Sequence, residues 1–315
     1  MQHTRAERAV AAGPGAHVGA RTLGWERRQR RVYTGYVLPA LVLLFLVTIL
    51  PTLFLFGTSL TNLNPSRPNS LQFIGVQNYV VLLQDGRFWN SVWVQVRLSF
   101  WTVTLQILIG LGLAMLLNSR LRFLELVRSV FIIPMVLPPV IVAIIWKILF
   151  TPDISPINWA LSLVGISAPA WLVHPVWALF AVIVAETWEW FPFTMLLLLA
   201  ALQMMPDEPL EAARIDGASG LQVFRYIVLP LLKPAIVVAV LFRLIDSVKA
   251  FPHIFIMTGG GPGVATEPTN FYAYLQGFTF SLIGFSSSIS MVILIMTMGL
   301  SYLVILIVGR QVEVE

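Results

Sequence analysis

The chain has 315 residues, of which 57% are hydrophobic and only 11% charged, with a mean hydropathy of +0.83; these values exclude an ordinary soluble domain and point to a protein embedded in a lipid bilayer. It contains no cysteine, which excludes disulfides, thiolate metal sites and cysteine nucleophiles. Its net charge of +5 does not signal a nucleic-acid partner, because the basic residues flank apolar runs instead of gathering on one polar domain.

Residues 1–32 form a basic arm on the cytoplasmic side, without apolar periodicity and predicted to be disordered over 1–24. The arm ends in the cluster Arg27, Arg28, Arg30 and Arg31. That cluster reads either as a topology signal or as a contact with anionic lipid headgroups. The apolar run that follows is too long for a cleaved signal peptide and reads as an anchor.

A domain over 33–309 then carries six predicted helical spans, at roughly 33–60, 92–118, 129–150, 176–203, 233–257 and 286–309, followed by a tail over 310–315. With both termini cytoplasmic, the inner segments hold seven Lys/Arg in 1–32, three in 119–128, three in 204–233 and Arg310, whereas the outer loops hold only Arg67 and Arg87. The positive-inside rule selects that orientation.

The outer loop 61–91 contains Gly75, Asn78, Tyr79, Leu82, Asp85, Phe88, Trp89 and Asn90, with apolar residues at helical spacing; it predicts a short interfacial helix before the second span. In the third span Pro134, Pro138 and Pro139, and in the fourth Pro192, interrupt helical hydrogen bonding. Kinks result in gated and rigid membrane helices alike. Gly110, Gly112 and Ala114, with Ser286, Ser287, Ser288 and Ser290, offer small faces for close helix packing.

Residues 204–232 are a polar loop between the fourth and fifth spans. Asp207 is placed to cap a helix that tolerates Pro209 in its first turn, Glu211 and Arg214 are spaced to pair, and Leu210 with Ala213 makes a small apolar face. Gly217 suits a left-handed terminus. Ser219 and Gln222 form a capping box for a second helix, which Phe224, Ile227 and Val228 stripe and Pro230 is expected to end.

The order and spacing of Glu211, Ala212, Ala213, Asp216, Gly217, Ile227, Leu229 and Pro230 resembles the cytoplasmic coupling loop of the permeases of binding-protein-dependent ABC importers. Further matches lie before the second span, at Trp146–Asn158, at Trp188–Pro206 and at Thr258–Pro262; the last resembles the Thr-x-Gly-Gly-Pro loop of one permease class in the carbohydrate-uptake branch. The resemblance implies an all-α, type I importer permease that moves a sugar or sugar-like solute by alternating access. It also implies a second homologous permease, two ATPase subunits that bind ATP and Mg, an external substrate-binding protein, and a bacterial or archaeal inner-membrane location. The chain has no Gly-x-x-x-x-Gly-Lys-Ser/Thr, so it is expected to be non-catalytic and free of cofactors or metal of its own.

Ionisable residues at bilayer depth are costly and face partners or cavities. At ~1.5 Å per residue, Glu189 and Asp246 fall near mid-membrane, and Glu186 and Lys249 roughly 5 Å nearer the outside. The predicted pairs are Glu186 with Lys249 and Arg243 with Asp246. Two readings stand side by side: structural ion pairs, or a polar pathway in which these groups, with Trp188 and Trp190, bind hydroxyls and stack on sugar faces. Lys147 is expected to snorkel, and Arg97 to face the pathway, a partner or a carbonyl. The rival from another class is an ion-coupled secondary transporter using Glu186, Glu189 and Asp246.

Overall fold

The computed structural model describes residues 18–67, 71–118 and 122–312. The start of the basic arm, residues 1–17, and the end of the tail, 313–315, lie outside the described residues. The chain divides into two compact units, Met1–Gly57 and Thr58–Glu315. The first carries helix α1 (Val18–Ser59), whose segment Gly35–Ser59 is apolar enough to cross a membrane. Its backbone is already helical at Val18, so the disorder expected over 1–24 does not extend to residues 18–24; neither Pro39 nor Pro51 ends the helix.

In the second unit, α2 (Gln77–Gln84) is the short helix expected in the 61–91 loop, and α3 (Gly86–Leu117) begins six residues before the predicted span. The earlier start has a local cause. Asp85 sits at the N-cap and its carboxylate accepts the Arg87 amide at 2.8 Å, satisfying an otherwise orphaned donor. Asn78 fastens α2 by donating to the carbonyls of Ser59 and Thr61, both at 2.8 Å, and the Tyr79 hydroxyl meets Ser59 Oγ at 2.6 Å.

The third predicted span is not one helix. It is α4 (Arg122–Val136) and α5 (Pro139–Phe150), bent by 95°. Pro138 and Pro139 supply no amide hydrogens, and a residue before proline is pushed out of helical geometry, so the chain turns there. Helix α6 (Pro156–Leu163) precedes α7 (Pro175–Gln203), which stays continuous through Pro192. Among the described residues five helices are long and apolar enough to cross a membrane, or six with the bent pair counted as one.

The polar loop contains α8 (Glu208–Ile215) and α9 (Gly220–Val223), and α9 runs through a π turn at Phe224–Val228 into α10 (Leu229–Val248). Pro230 therefore does not end the helix. It falls in the first turn of α10, after a widened turn in which the Leu229 amide reaches back to the Phe224 carbonyl, so its missing donor interrupts no regular ladder. Gly220–Val248 is one span-length helix, whereas the predicted fifth span, drawn to 257, stops at Val248. A second π turn, Ile254–Thr258, leads to the loop 259–268, then to α11 (Thr269–Tyr274), a third π turn at Leu275–Thr279, and α12 (Ile283–Val312).

Helices α3 and α7 pack along most of their length, with α10 against both. Near Pro175, Val94 and Leu98 meet Leu179, Val182 and Ile183; towards Gln203, Ala114 and Leu117 meet Met195, Leu198, Leu199 and Leu202. Gly110 permits the approach, since a Cβ there would lie 2.8 Å from Thr194 and 2.9 Å from the Met195 backbone, whereas Gly112 meets nothing within 4 Å. Gly110→Ala should therefore destabilise the detergent-solubilised protein by about 1–3 kcal/mol, the usual range for overpacking, while Gly112→Ala should leave its thermal unfolding unchanged.

Candidate functional site: a buried charge layer and an exposed loop

Between the two apolar clusters of the α3–α7 contact lies a polar layer. Glu186 and Glu189 share one face of α7 at i, i+3 spacing, and α10 delivers Arg243 to that face. Arg243 is only 1% exposed, and each part of its guanidinium has a partner. Its Nε donates to Gln106 Oε1 at 2.8 Å, Nη1 to Asp246 at 3.2 Å and Nη2 to Glu186 Oε1 at 3.4 Å; the Trp190 ring covers the guanidinium at 4.7 Å. Gln106 in turn donates to the Glu186 carbonyl at 3.1 Å, which ties α3 into the network.

The other oxygen of Glu186 faces His253 Nδ1 at 3.0 Å, and His253 Nε2 lies 3.1 Å from Glu189 Oε2, in charge contact though not aligned as a hydrogen bond. Two carboxylates against two ring nitrogens call for a doubly protonated imidazolium. With it, the three carboxylates of Glu186, Glu189 and Asp246 are balanced by Arg243, His253 and Lys249. Glu186, Glu189 and His253 also bring three potential metal-ligand atoms within 4.8 Å of one another. The imidazole, however, turns one nitrogen to each carboxylate, and Arg243 holds the remaining oxygen of Glu186, so three lone pairs do not converge on one point.

One sequence expectation needs correction here. Glu186 does not pair with Lys249: Lys249 is 71% exposed and reaches Asp246 at 3.8 Å, because it caps the end of α10 beyond the buried face. The expected Arg243–Asp246 pair is present. Trp188 and Trp190 have different neighbours, because residues two apart leave a helix in opposed directions. Trp190 covers Arg243, and Trp188 packs edge-on to Trp146 of α5 at 5.9 Å. Arg97 lies 5.8 Å over Trp93, and Lys147 is exposed in the last turn of α5.

The loop 204–232 has the expected left-handed helix terminus. Gly217 adopts φ +75°, with its amide bonded to the Arg214 carbonyl at 3.2 Å and the Ala218 amide to the Ala213 carbonyl at 2.9 Å, a glycine-terminated helix end. The Ser219–Gln222 capping box forms in both directions. Asp207 occupies the N-cap position without a side-chain bond, and Glu211 and Arg214 make no ion pair among the described residues. Glu211, Ala212, Asp216, Gly217 and Pro230 are exposed; Ile227 and Leu229 are half-buried; Ala213 is buried. Asp216, Gly217, Gln222, Tyr226 and Ile227 line a hollow of about 340 Å³ at this terminus.

Over residues 106–313, a stretch that holds both the charge layer and this loop, the chain matches the model of the binding-protein-dependent transport system inner membrane component. The chain belongs to that family. It is the membrane permease subunit of a binding-protein-dependent ABC importer, a multi-pass inner-membrane protein and not itself an enzyme; the ATPase is a separate subunit. Among similar proteins, the trehalose/maltose transport system permease protein MalF of Thermococcus litoralis is 37% identical over 90% of this chain and 96% of its own length. The trehalose transport system permease protein SugA of Mycobacterium tuberculosis is 35% identical, covering 86% of each chain, and the sn-glycerol-3-phosphate transport system permease protein UgpA of Yersinia pestis is 30% identical over 89% and 94%. A chain of a bacterial alginate ABC transporter, crystallised with its alginate pentasaccharide-bound periplasmic protein, shares the fold at a TM-score of 0.76 and 21% identity, over 89% of this permease and 95% of that chain.

Beside the charge layer, the permease's 259–268 loop is pinned. Arg87 makes two bonds to the buried Glu267, at 2.8 and 2.7 Å, Asn90 donates to the Val264 carbonyl at 3.0 Å, and Thr266 bonds Thr258 Oγ1 and the Gly261 carbonyl at 2.8 and 2.7 Å. Tyr272 bonds Asp85, and burial together with that carboxylate pushes its phenol above the usual range. A single tyrosine, arginine or histidine in apolar sequence carries no spacing that marks its partner, so only the composition around Asp85 and Arg87 hinted at this lock. Removing Arg243 alone takes the partner of Glu186 Oε1 away and leaves three buried or part-buried acceptors, on Glu186, Gln106 and Asp246, without its donors. Arg243→Met should cost about 3–5 kcal/mol of stability, and Arg243→Met with Glu186→Gln should recover a measurable part of it in thermal unfolding of the purified permease.

Proposed function

We propose that this permease imports a sugar or sugar-like solute, in a complex with a second homologous permease, two ATPase subunits that bind ATP and Mg, and an external substrate-binding protein. Kinship with trehalose/maltose and trehalose permeases supports the cargo class. One observation carries the coupling role: the tip of the 204–232 loop is apolar and uncovered, with Met204, Ile215 (86% exposed), Leu221 and Tyr226 around the Gly217 hinge. Exposed apolar patches of this kind mark protein interfaces. The basic residues near this loop favour a cytoplasmic position, within reach of an ATPase, with both termini on the same side.

In this reading α8 docks on the ATPase, with Glu211, Ala212, Ala213 and Asp216 on the docking helix and Gly217 as its hinge. Ile227, Leu229 and Pro230 lie in the lever that passes movement into α10. Because Gly220–Val248 is one span of 29 residues, about 43 Å long, broken in its regularity only by the π turn at Phe224–Val228, movement at the loop is carried to Asp246 near its far end and Lys249 just beyond it. Asp246 is 43% exposed within a membrane span, and an ionised group facing hydrocarbon is costly, so this α10 face borders a polar pathway shared with the second permease. Trp190, Asp246 and Lys249 are its contact groups; Arg243, Glu186 and Glu189 position them from behind, and Trp188 belongs to the packing against α5.

Ile215→Asp should abolish co-purification of the ATPase. Gly217→Val, which meets no steric neighbour but costs about 1–2 kcal/mol in the left-handed conformation, should lower ATP-driven uptake at least several-fold while the permease stays folded. Uptake by this chain alone, driven by an ion gradient, would instead establish the secondary-transporter alternative. The cysteine-free chain is also its own background for labelling: Ala218→Cys should react with an impermeant thiol reagent only from the cytoplasmic side, and Ser66→Cys only from the outside.

A further inference from the structure

The charges on the α10 face restrict what can occupy it. Resting on the pathway reading above, we infer that the site takes an uncharged glycoside or polyol and turns away phosphate, sulfonate and carboxylate anions, with Asp246 as the group that enforces the choice. An anion needs a cation with free donors. Arg243 presents none to this face: Gln106, Asp246 and Glu186 each engage one of its three nitrogens, Trp190 covers its plane, and its other N–H groups are enclosed in a side chain only 1% exposed. Lys249 is the exposed cation of this face, and it is drawn to Asp246 at 3.8 Å.

His253 is enclosed between Glu186 and Glu189, and two further cations of the apolar helices, Arg97 and Lys147, point elsewhere. Gln95 and Ser99 of α3 face α10, with Gln95 Nε2 on the Ser247 carbonyl at 3.1 Å and Ser247 Oγ on Ser99 Oγ at 2.7 Å. Arg97 lies two positions from each of them and is therefore turned away from α10, over Trp93. Lys147 is at the end of α5.

What the face does offer suits hydroxyls and sugar rings. Phe242, Asp246 and Lys249 recur at i, i+4, i+7 on α10. The exposed Phe242 meets Phe193 of α7 edge-on at 6.1 Å, and Phe193 is one turn from Trp190, so an aromatic shelf adjoins a part-exposed carboxylate. The carboxylate accepts from hydroxyls and repels a like charge, while the rings stack on apolar sugar faces. The names of related permeases span neutral trehalose and maltose and the anion sn-glycerol 3-phosphate, so kinship alone does not set the charge.

The test is uptake into ATP-loaded proteoliposomes of the complete importer, purified through a tag on this chain, with trehalose, maltose and sorbitol as neutral probes and sn-glycerol 3-phosphate and glucuronate as anions. Uptake of at least one neutral probe should exceed that of both anions by about tenfold or more. Asp246→Asn, which frees Arg243 Nη1 and Lys249, should narrow that ratio several-fold. Anion uptake equal to or above the neutral probes, or no uptake of any neutral probe, overturns the inference, as does an Asp246→Asn importer with an unaltered ratio. Because the wild-type panel decides the charge class by itself, misfolding of the variant does not remove the test. A neutral preference that survives with uptake unchanged in Trp190→Ala and Phe242→Ala defeats the pathway reading instead.

Discussion

A guanidinium buried between two apolar clusters dictates the arrangement of the helices around it. Taking Arg243 out of water costs several kcal/mol, which its contacts offset only if Gln106 of α3, Glu186 of α7 and Asp246 of α10 all stand within reach. A slip of α7 against α10 by one turn, about 5.4 Å, would part Arg243 from Glu186, and a slip of α3 would take Gln106 from the guanidinium Nε. Apolar packing at either end of α7 supplies attraction but little register, since leucine meets leucine almost as well one turn away. The polar layer supplies the register.

His253 extends the constraint beyond the helices. It lies after the break that follows Val248, next to Pro252, and its imidazolium joins Glu186 and Glu189 on α7 to the segment leading into the 259–268 loop. That loop is held in turn through Glu267 to Arg87 and through Val264 to Asn90 at the start of α3. Polar contacts therefore run from the part-exposed Asp246 through Arg243 and Glu186 to His253, and the backbone continues from there into the far loop. At its other end α10 continues through the π turn and α9 to Gly220, three residues from Gly217. The helix that carries the proposed sugar contacts is thus also the one that leaves the proposed ATPase-docking loop.

Several local features were readable because their physical cause is local. Gly217 takes a left-handed conformation that few other residues tolerate, and Ser219 and Gln222 are spaced to cap each other, so the terminus of α8 and the start of α9 follow from neighbouring residues. The apolar spans follow from length and hydropathy. Proline was harder to read, because its effect depends on what the surrounding turns do: Pro138 and Pro139 turn the chain by 95°, Pro192 leaves α7 continuous, and a π turn absorbs Pro230.

The sequence by itself determined that this is an all-helical membrane permease and roughly where most of its spans lie. It did so because bilayer thickness, caps and motif spacing act over a few residues at a time. Tertiary structure alone decided who pairs with whom. Glu186 chooses Arg243 and His253 over Lys249, and Trp188 and Trp190 part company, because helix rotation and the break after Val248 determine which side chains meet. Those are long-range matters, and linear spacing carries no record of them.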